Sequence, residues 1–341
     1  MTPVSKIDIS ENTLRNRGRV LDILLLDRAS RGNIIWATDS YKVHGKEYMP
    51  KKQIKRELVT GLNGKIIQPR AAKSREEQAA RTKDKAEVFT PLKIVREMNM
   101  SIDWESKNYP TTKDNWIDYI KELRLEVSCG EAPFIAGRYN PTANTGVTIK
   151  TVNRVGFLDR KLQAVGEFTK TKKEWLKYAE VALKASYGFE WQGDNLLIAR
   201  ENILLTIDDF YKDFCANKLK QKTKQSLSDA QLEYFAEIIC WNIWQMDGLK
   251  YVKPMSCTQS AQKSDEVPKD QLILLQVEKT QKTRVECEGC RTNDPLKHTG
   301  RYSRIMDWEI GKSVQFVDLL SQGDNNYPLI STARTPAPSI P

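Results

Sequence analysis

Leu123-Arg124-Leu125-Glu126-Val127, running into Ser128-Cys129-Gly130-Glu131-Ala132-Pro133-Phe134-Ile135, is the stretch whose reading decides the fold. A short apolar-alternating run that stops at a serine and a glycine is a strand entering a tight turn. Glycine there lets backbone approach a ligand closely, the Glu126 carboxylate can pair with a cationic group, and Ser128 offers a hydroxyl. Taken alone, the same residues fit an ordinary glycine turn.

Two further strand ends follow downstream. Tyr187-Gly188-Phe189-Glu190-Trp191 ends in an acid able to accept hydrogens from both ribose hydroxyls of a nucleoside, and Ile243-Trp244-Gln245-Met246-Asp247-Gly248 ends in an acid able to accept from a purine amino group. Taken singly, Glu190 reads as an exposed strand-end acid and Asp247 as a helix-capping one. Helical spacing separates the strands: Leu92 to Asp103, with Thr90 as N-cap and Pro91 in the first turn, then Trp116 to Ile120, Trp175 to Lys184, Asp194 to Phe214 and Glu233 to Ile239. Residues 138–167, with Asn144-Thr145-Gly146 between Tyr139 and Val147-Thr148-Ile149, read as a hairpin-rich insertion. Strands alternating with helices predict an α/β domain with a mostly parallel sheet, whose ligands bind outside the carboxyl ends of the strands.

Upstream, Asn12 to Asp27 has helical spacing and Gly32 to Thr38 reads as a strand, which makes 1–80 a small basic α+β region. Lys73, Arg75, Arg81 and Lys83 fall in a stretch poor in hydrophobics. It reads either as a solvated helix face or as an arm contacting DNA phosphates. Downstream, Cys287-Glu288-Gly289-Cys290 has Cys257 before it and His298 after it as further donors a zinc ion would need. One such knuckle without a second reads as two free thiols on a β-turn, so no metal is expected and Cys287 and Cys290 are weak ligands.

The 341 residues suffice for about two domains. Lys plus Arg number 54 against 44 Asp plus Glu, a net charge of +10 that suits a polyanionic partner. The longest aliphatic cluster, Val20 to Leu26, is too short and too charged to cross a membrane, and the N-terminus has no apolar signal region, so a cytoplasmic protein is expected. The six cysteines are irregularly spaced, as reduced thiols are. No G-x-x-x-x-G-K-(S/T) loop and no clean G-x-G-x-x-G occurs, which argues against a phosphate-gripping nucleotide enzyme.

The order Glu87-Val88-Phe89-Thr90-Pro91, then Leu125 to Phe134, then Tyr187 to Glu190, then Asn242 to Gly248 resembles the successive elements of gamma-class N6-adenine DNA methyltransferases, close to the "restriction endonuclease subunit M" group of type II restriction-modification systems. The resemblance spans 81–248. It implies a Rossmann-like domain that binds S-adenosylmethionine, with Thr90, Pro91, Ser128 and Gly130 lining the methionine end, Glu126 orienting its ammonium, Glu190 holding the ribose and Asp247 the adenine amino group. The reaction implied is transfer of the sulfonium methyl to adenine N6 in double-stranded DNA.

This sequence departs from that family where Val127 stands for a common proline and Ala132-Pro133 for a second glycine. More seriously, the N-P-P-Y loop that holds a flipped adenine is absent, and Asn325-Asn326-Tyr327-Pro328 sits in a polar tail. The expectation is therefore a truncated methyltransferase, inactive alone, with a second chain supplying the catalytic loop and target recognition. The competing reading is a non-catalytic DNA- or partner-binding subunit that keeps the scaffold. The expected organisation is a basic region at 1–80, a cofactor-binding domain at 81–255, a small β-rich region at 256–320 and a disordered tail at 321–341.

Overall fold

The computed structural model describes residues 14–85, 90–142, 147–223, 225–257 and 286–321. Helix α1 (Val20–Leu25) leads into the two-residue strands β1 (Leu26–Asp27) and β2 (Gly32–Asn33). A series of 3₁₀ turns then reaches α2 (Arg75–Lys85), α3 (Leu92–Glu105) and α4 (Trp116–Lys121). The central unit is β3 (Arg124–Glu126), α5 (Phe157–Phe168), α6 (Lys172–Lys184), β4 (Ser186–Glu190), α7 (Gly193–Asp213), α8 (Asp229–Asn242) and β5 (Ile243–Gln245). After it come α9 (Glu288–Thr292), the antiparallel pair β6 (Arg304–Asp307) and β7 (Lys312–Gln315), and α10 (Asp318–Ser321).

The chain is α/β: β3, β4 and β5 form a parallel sheet in that order, each step crossed by two helices. The helices begin where their sequences dictate. Thr171 accepts from the Glu174 amide while Glu174 returns to the cap, and Ser228 and Gln231 repeat the arrangement at α8. Helix α3 starts one residue later than expected, with Pro91 as its cap and no side chain closing it. Residues 138–167 are not a hairpin-rich insertion: among the described residues the pairing there is the single bridge Tyr139↔Thr148, a 3₁₀ turn follows at Thr151–Asn153, and α5 takes the stretch from Phe157 as a crossover helix. The expected Asn144-Thr145-Gly146 turn, Phe89 and the tail beyond Ser321 lie outside the described residues.

The N-terminal region does not stand apart. One apolar core runs from Leu14 to Ile243. Within it the Arg15 guanidinium donates to both oxygens of the buried Glu201, and Arg200 donates to the carbonyls of Leu24, Leu26 and Ile243. A second, smaller core of Phe189, Trp244, Met246, Ile305 and Phe316 joins the β6–β7 pair to β4 and β5. Helix α7 shows why the pattern misleads near its start: residues from Gly193 to Asp208 are buried all round, because the N-terminal segment covers the side the sheet does not.

The tightest join is at the first residue of α7. The Gly193 amide donates to the Trp36 carbonyl at 2.9 Å, and a Cβ on Gly193 would sit 2.0 Å from the Ile35 carbonyl oxygen. Gly193→Ala should therefore destabilise the fold by about 2 to 3 kcal/mol, as overpacking against backbone does. Gly166→Ala in α5, where nothing lies within 4 Å of the new methyl, should stabilise by about 0.5 to 1 kcal/mol. Urea unfolding of the two variants measures both shifts.

Candidate functional site

In the sheet register Glu126 lies opposite Gly188, and Gly188 and Glu190 share a face of β4. The two acids thus emerge on one side of the carboxyl edge of the sheet. The loop after β3 folds over that side: a Cβ on Gly188 would meet Ile135 Cδ1 at 2.9 Å and Cys129 Cβ at 3.4 Å. Both carboxylates hold this loop. Glu126 accepts from the amides of Phe134 at 3.2 Å and Ile135 at 3.0 Å, and Glu190 accepts from Gly130 at 2.9 Å and Gln192 at 3.0 Å. The loop takes left-handed backbone at Ser128 (φ 51°), Gly130 (φ 55°) and Ala132 (φ 62°). For Ser128 and Ala132 that conformation costs about 1 to 2 kcal/mol each, strain of the kind that gathers at ligand sites.

Above the loop lies a cleft of ≈ 750 Å³. Of the residues named from sequence, Thr90, Glu126, Ser128, Gly130 and Glu190 line it, and Pro91 and Asp247 are not among its lining. Asp247 is spent on a turn, where its carboxylate accepts from the Leu249 and Lys250 amides. The remaining wall was not legible in sequence: Ala37 to Asp39 and Pro50 come from the N-terminal region, Met255 from beyond β5, and Trp191, Gln192 and Asn195 from the start of α7. Trp191 alone carried a signal, an aromatic directly after the strand-end acid; its indole donates to the Ala37 carbonyl, and the side chain is 37% exposed.

The charge of the cleft is one-sided. Asp39, Glu126 and Glu190 line it, and no lysine, arginine or histidine is among its described lining residues, although the chain as a whole is +10. Burial pushes the Glu190 carboxyl up to about 7, against the opposing pull of its amide donors. Burial also raises Glu126 well above the usual carboxylate range, with the neighbouring Glu190 adding to the shift.

The basic segment is partly turned inward. Arg81 pairs with the fully buried Asp194 at 2.7 Å, and Asp194 also accepts from the Tyr41 hydroxyl. Burial drives the Asp194 carboxyl upward, but Arg81 first and Lys73 second outweigh it and leave it below its ordinary value. Arg81 and Lys73 are thus committed to the interior field, Lys83 is exposed, and the side chain of Arg75 lies outside the described residues. The Cys287–Cys290 pair is not on a β-turn: it opens α9 and meets Cys257 and His298 in one cluster, away from the cleft lining.

Glu190 makes stability depend on pH in an unusual sense. Its folded value of about 7 exceeds the ordinary 4.5, so between those values the folded chain holds a proton the unfolded chain has lost. Stability should fall as pH rises through that window, by an amount on the order of 2 kcal/mol, and level off above it. Unfolding midpoints from pH 5 to 8 should show the slope in the natural chain and a flatter one in Glu190→Gln. Comparison with protein-family models, with curated proteins and with solved structures finds no match for this chain.

Proposed function

We propose that the chain is the S-adenosylmethionine-binding component of a DNA adenine-N6 methyltransferase from a restriction-modification system, built on a Rossmann-like sheet. The observation that carries this reading is the acid-only cleft at the carboxyl edge of a parallel sheet. S-adenosylmethionine brings an ammonium, a sulfonium, two free ribose hydroxyls and no phosphate. Three acidic side chains favour that set of groups, and a lining without a basic side chain among the described residues leaves the phosphates of a nucleotide coenzyme without a cationic partner. The methionine carboxylate is served by the Thr90 and Ser128 hydroxyls. Glu126 faces the ammonium and Glu190 the ribose. The adenine rests against Trp191, with Gln192 and Asn195 as polar neighbours, a role that passes from Asp247 to the start of α7.

Double-stranded DNA as partner is supported by the charge surplus, carried near the cleft by the exposed Lys51 and Lys52 beside Pro50, and on α2 by the exposed Lys83. A second reading, a DNA- or partner-binding subunit without catalysis of its own, is favoured by the absence of an N-P-P-Y string from the sequence. Under either reading, transfer to adenine needs a loop that pairs and stacks the flipped base.

Titration calorimetry should give binding of S-adenosylmethionine and of its demethylated product, with no heat for ATP. Glu190→Ala should weaken binding by about 1 to 3 kcal/mol. Because a bound ribose or cation favours the ionised acid, affinity should rise between pH 6 and 8. Absence of heat and of thermal shift with both ligands would sink the cofactor reading. The purified chain with labelled S-adenosylmethionine and mixed-sequence duplex should transfer no methyl to DNA by itself, and robust incorporation would place the adenine-holding residues in this chain after all.

The inward turn of Arg81 separates two effects. Lys51→Ala, Lys52→Ala and Lys83→Ala together should flatten the salt dependence of DNA binding without lowering stability. Arg81→Ala should instead cost about 3 to 5 kcal/mol of stability by stranding the buried Asp194. Salt titrations and urea unfolding of the two variants distinguish a phosphate contact from an internal pair.

A further inference from the structure

Cys257, Cys287, Cys290 and His298 present three sulfurs and one ring nitrogen, all within 4.8 Å of one another. The sulfurs of Cys257, Cys287 and Cys290 lie 3.7, 3.6 and 3.7 Å from His298 Nδ1. A tetrahedral zinc ion with Zn–S of about 2.3 Å and Zn–N of about 2.0 to 2.1 Å sets sulfur and nitrogen about 3.6 Å apart. The three measured separations match that edge. No cysteine of the chain is in a disulfide, so the three thiols converge on a common point without a covalent reason to do so.

The surroundings are shaped to the same point. The Cys290 amide donates to Cys287 Sγ at 3.4 Å, closing the knuckle, and Cys287 is the N-cap of α9. Gly289 lets the knuckle lie against His298: a Cβ there would come within 2.7 Å of the His298 backbone nitrogen. Gly300 does the same for the opposite side, where a Cβ would meet Cys257 Sγ at 3.0 Å. Three thiolates and a neutral imidazole leave a zinc site with one excess negative charge, and the Lys250 ammonium lies against Cys290 to offset it.

The segment also needs a staple. Between Val252 and Ile305, Pro254 and Cys287 are the only buried apolar side chains among the described residues. What holds the segment otherwise is polar: the bridge Val252↔Tyr302, the Lys253 amide to the Arg301 carbonyl, and the Ser256 hydroxyl accepting from the Arg301 amide. A stretch with so little core depends on a crosslink, and soft donors in a closed set of four select zinc over hard divalent cations.

We propose that Cys257, Cys287, Cys290 and His298 bind one structural zinc ion, which ties residues 286–301 to the strand-like segment leaving β5. The ion closes its fourth position with protein and so has no place for a substrate or water. It holds in position the segment that carries Met255 to the wall of the cleft.

Elemental analysis of the natural chain, purified under reducing conditions and dialysed, should give one zinc per chain. Reconstitution of the stripped chain with cobalt(II) alone should give the intense visible bands of a tetrahedral thiolate site. Cys257→Ser with Cys290→Ser should lose the zinc, while His298→Cys should keep it, since four thiolates fit the same ion. Removing zinc should raise hydrogen exchange across 286–303 and leave α7 protected. A natural chain without zinc whose cobalt form lacks those bands, or full zinc in the double serine variant, overturns the proposal. Should the variants fail to fold, the metal content and cobalt spectrum of the natural chain decide alone.

Discussion

Two carboxylates at the ends of neighbouring parallel strands hold the loop that follows the first of them, and the cleft exists because they do. Glu126 takes the amides of Phe134 and Ile135, and Glu190 takes Gly130 and Gln192, so four backbone donors that a tight turn would otherwise leave unsatisfied are paired. The arrangement costs both acids their water, which is why both are pushed toward the protonated form. Those acids line the cleft together with the left-handed Ser128 and Gly130 of the loop.

A three-stranded parallel sheet cannot leave its faces and edges open, and the N-terminal region closes this one. The Gln245 side chain makes the join with its amide: it accepts from the Ile35 amide at 2.9 Å and donates to the carbonyls of Ile35 and Trp191. Gly193 permits the backbone contact beside it. Residues 34–37 are thereby fixed along the end of β5, and Ala37, Thr38 and Asp39 are delivered to the cleft rim. The buried pairs Arg15–Glu201 and Arg81–Asp194 lie in this same seam. Each would be costly to break from one side, so they favour a single docking of the region over a family of near-equivalent ones.

That seam also explains what the sequence does and does not disclose. The strands ending at Glu126 and Glu190 are legible because a short apolar run ending at a turn is a local signal, whereas β5 stops at Gln245, two residues short of the Asp247 at which the sequence places its end. So are the helices whose Thr171 and Ser228 caps sit at the right offset from an acid or amide. Long-range pairing leaves no such mark. Arg81 looks like a phosphate contact from its neighbours, and only the fold brings Asp194, more than a hundred positions away, against it. Asp247 looks like a ligand acid because it ends a strand, yet two amides of its own turn claim it first. The knuckle at Cys287 reads from sequence as two free thiols on a turn because no second Cys-x-x-Cys accompanies it, and only the fold brings Cys257 and His298 against it.

The segment leaving β5 is where these separate constraints meet. Lys253 is pinned by the Asp27 carboxylate at 2.6 Å and by the Asn33 carbonyl, which ties it to the N-terminal region. Two residues on, Met255 reaches the cleft with left-handed backbone (φ 57°), and two further on Cys257 enters the sulfur cluster. An ion pair, a strained residue at the wall and a metal donor therefore occupy alternate positions of one short stretch. Fixing both flanks gives Met255 little freedom to relax, so the strained wall is held by its neighbours rather than by its own packing. Any change at the cluster that loosened Cys257 would be felt at the cleft through two peptide units of chain, whereas the Glu126 and Glu190 side of the same cleft, held by the sheet, would stay in place.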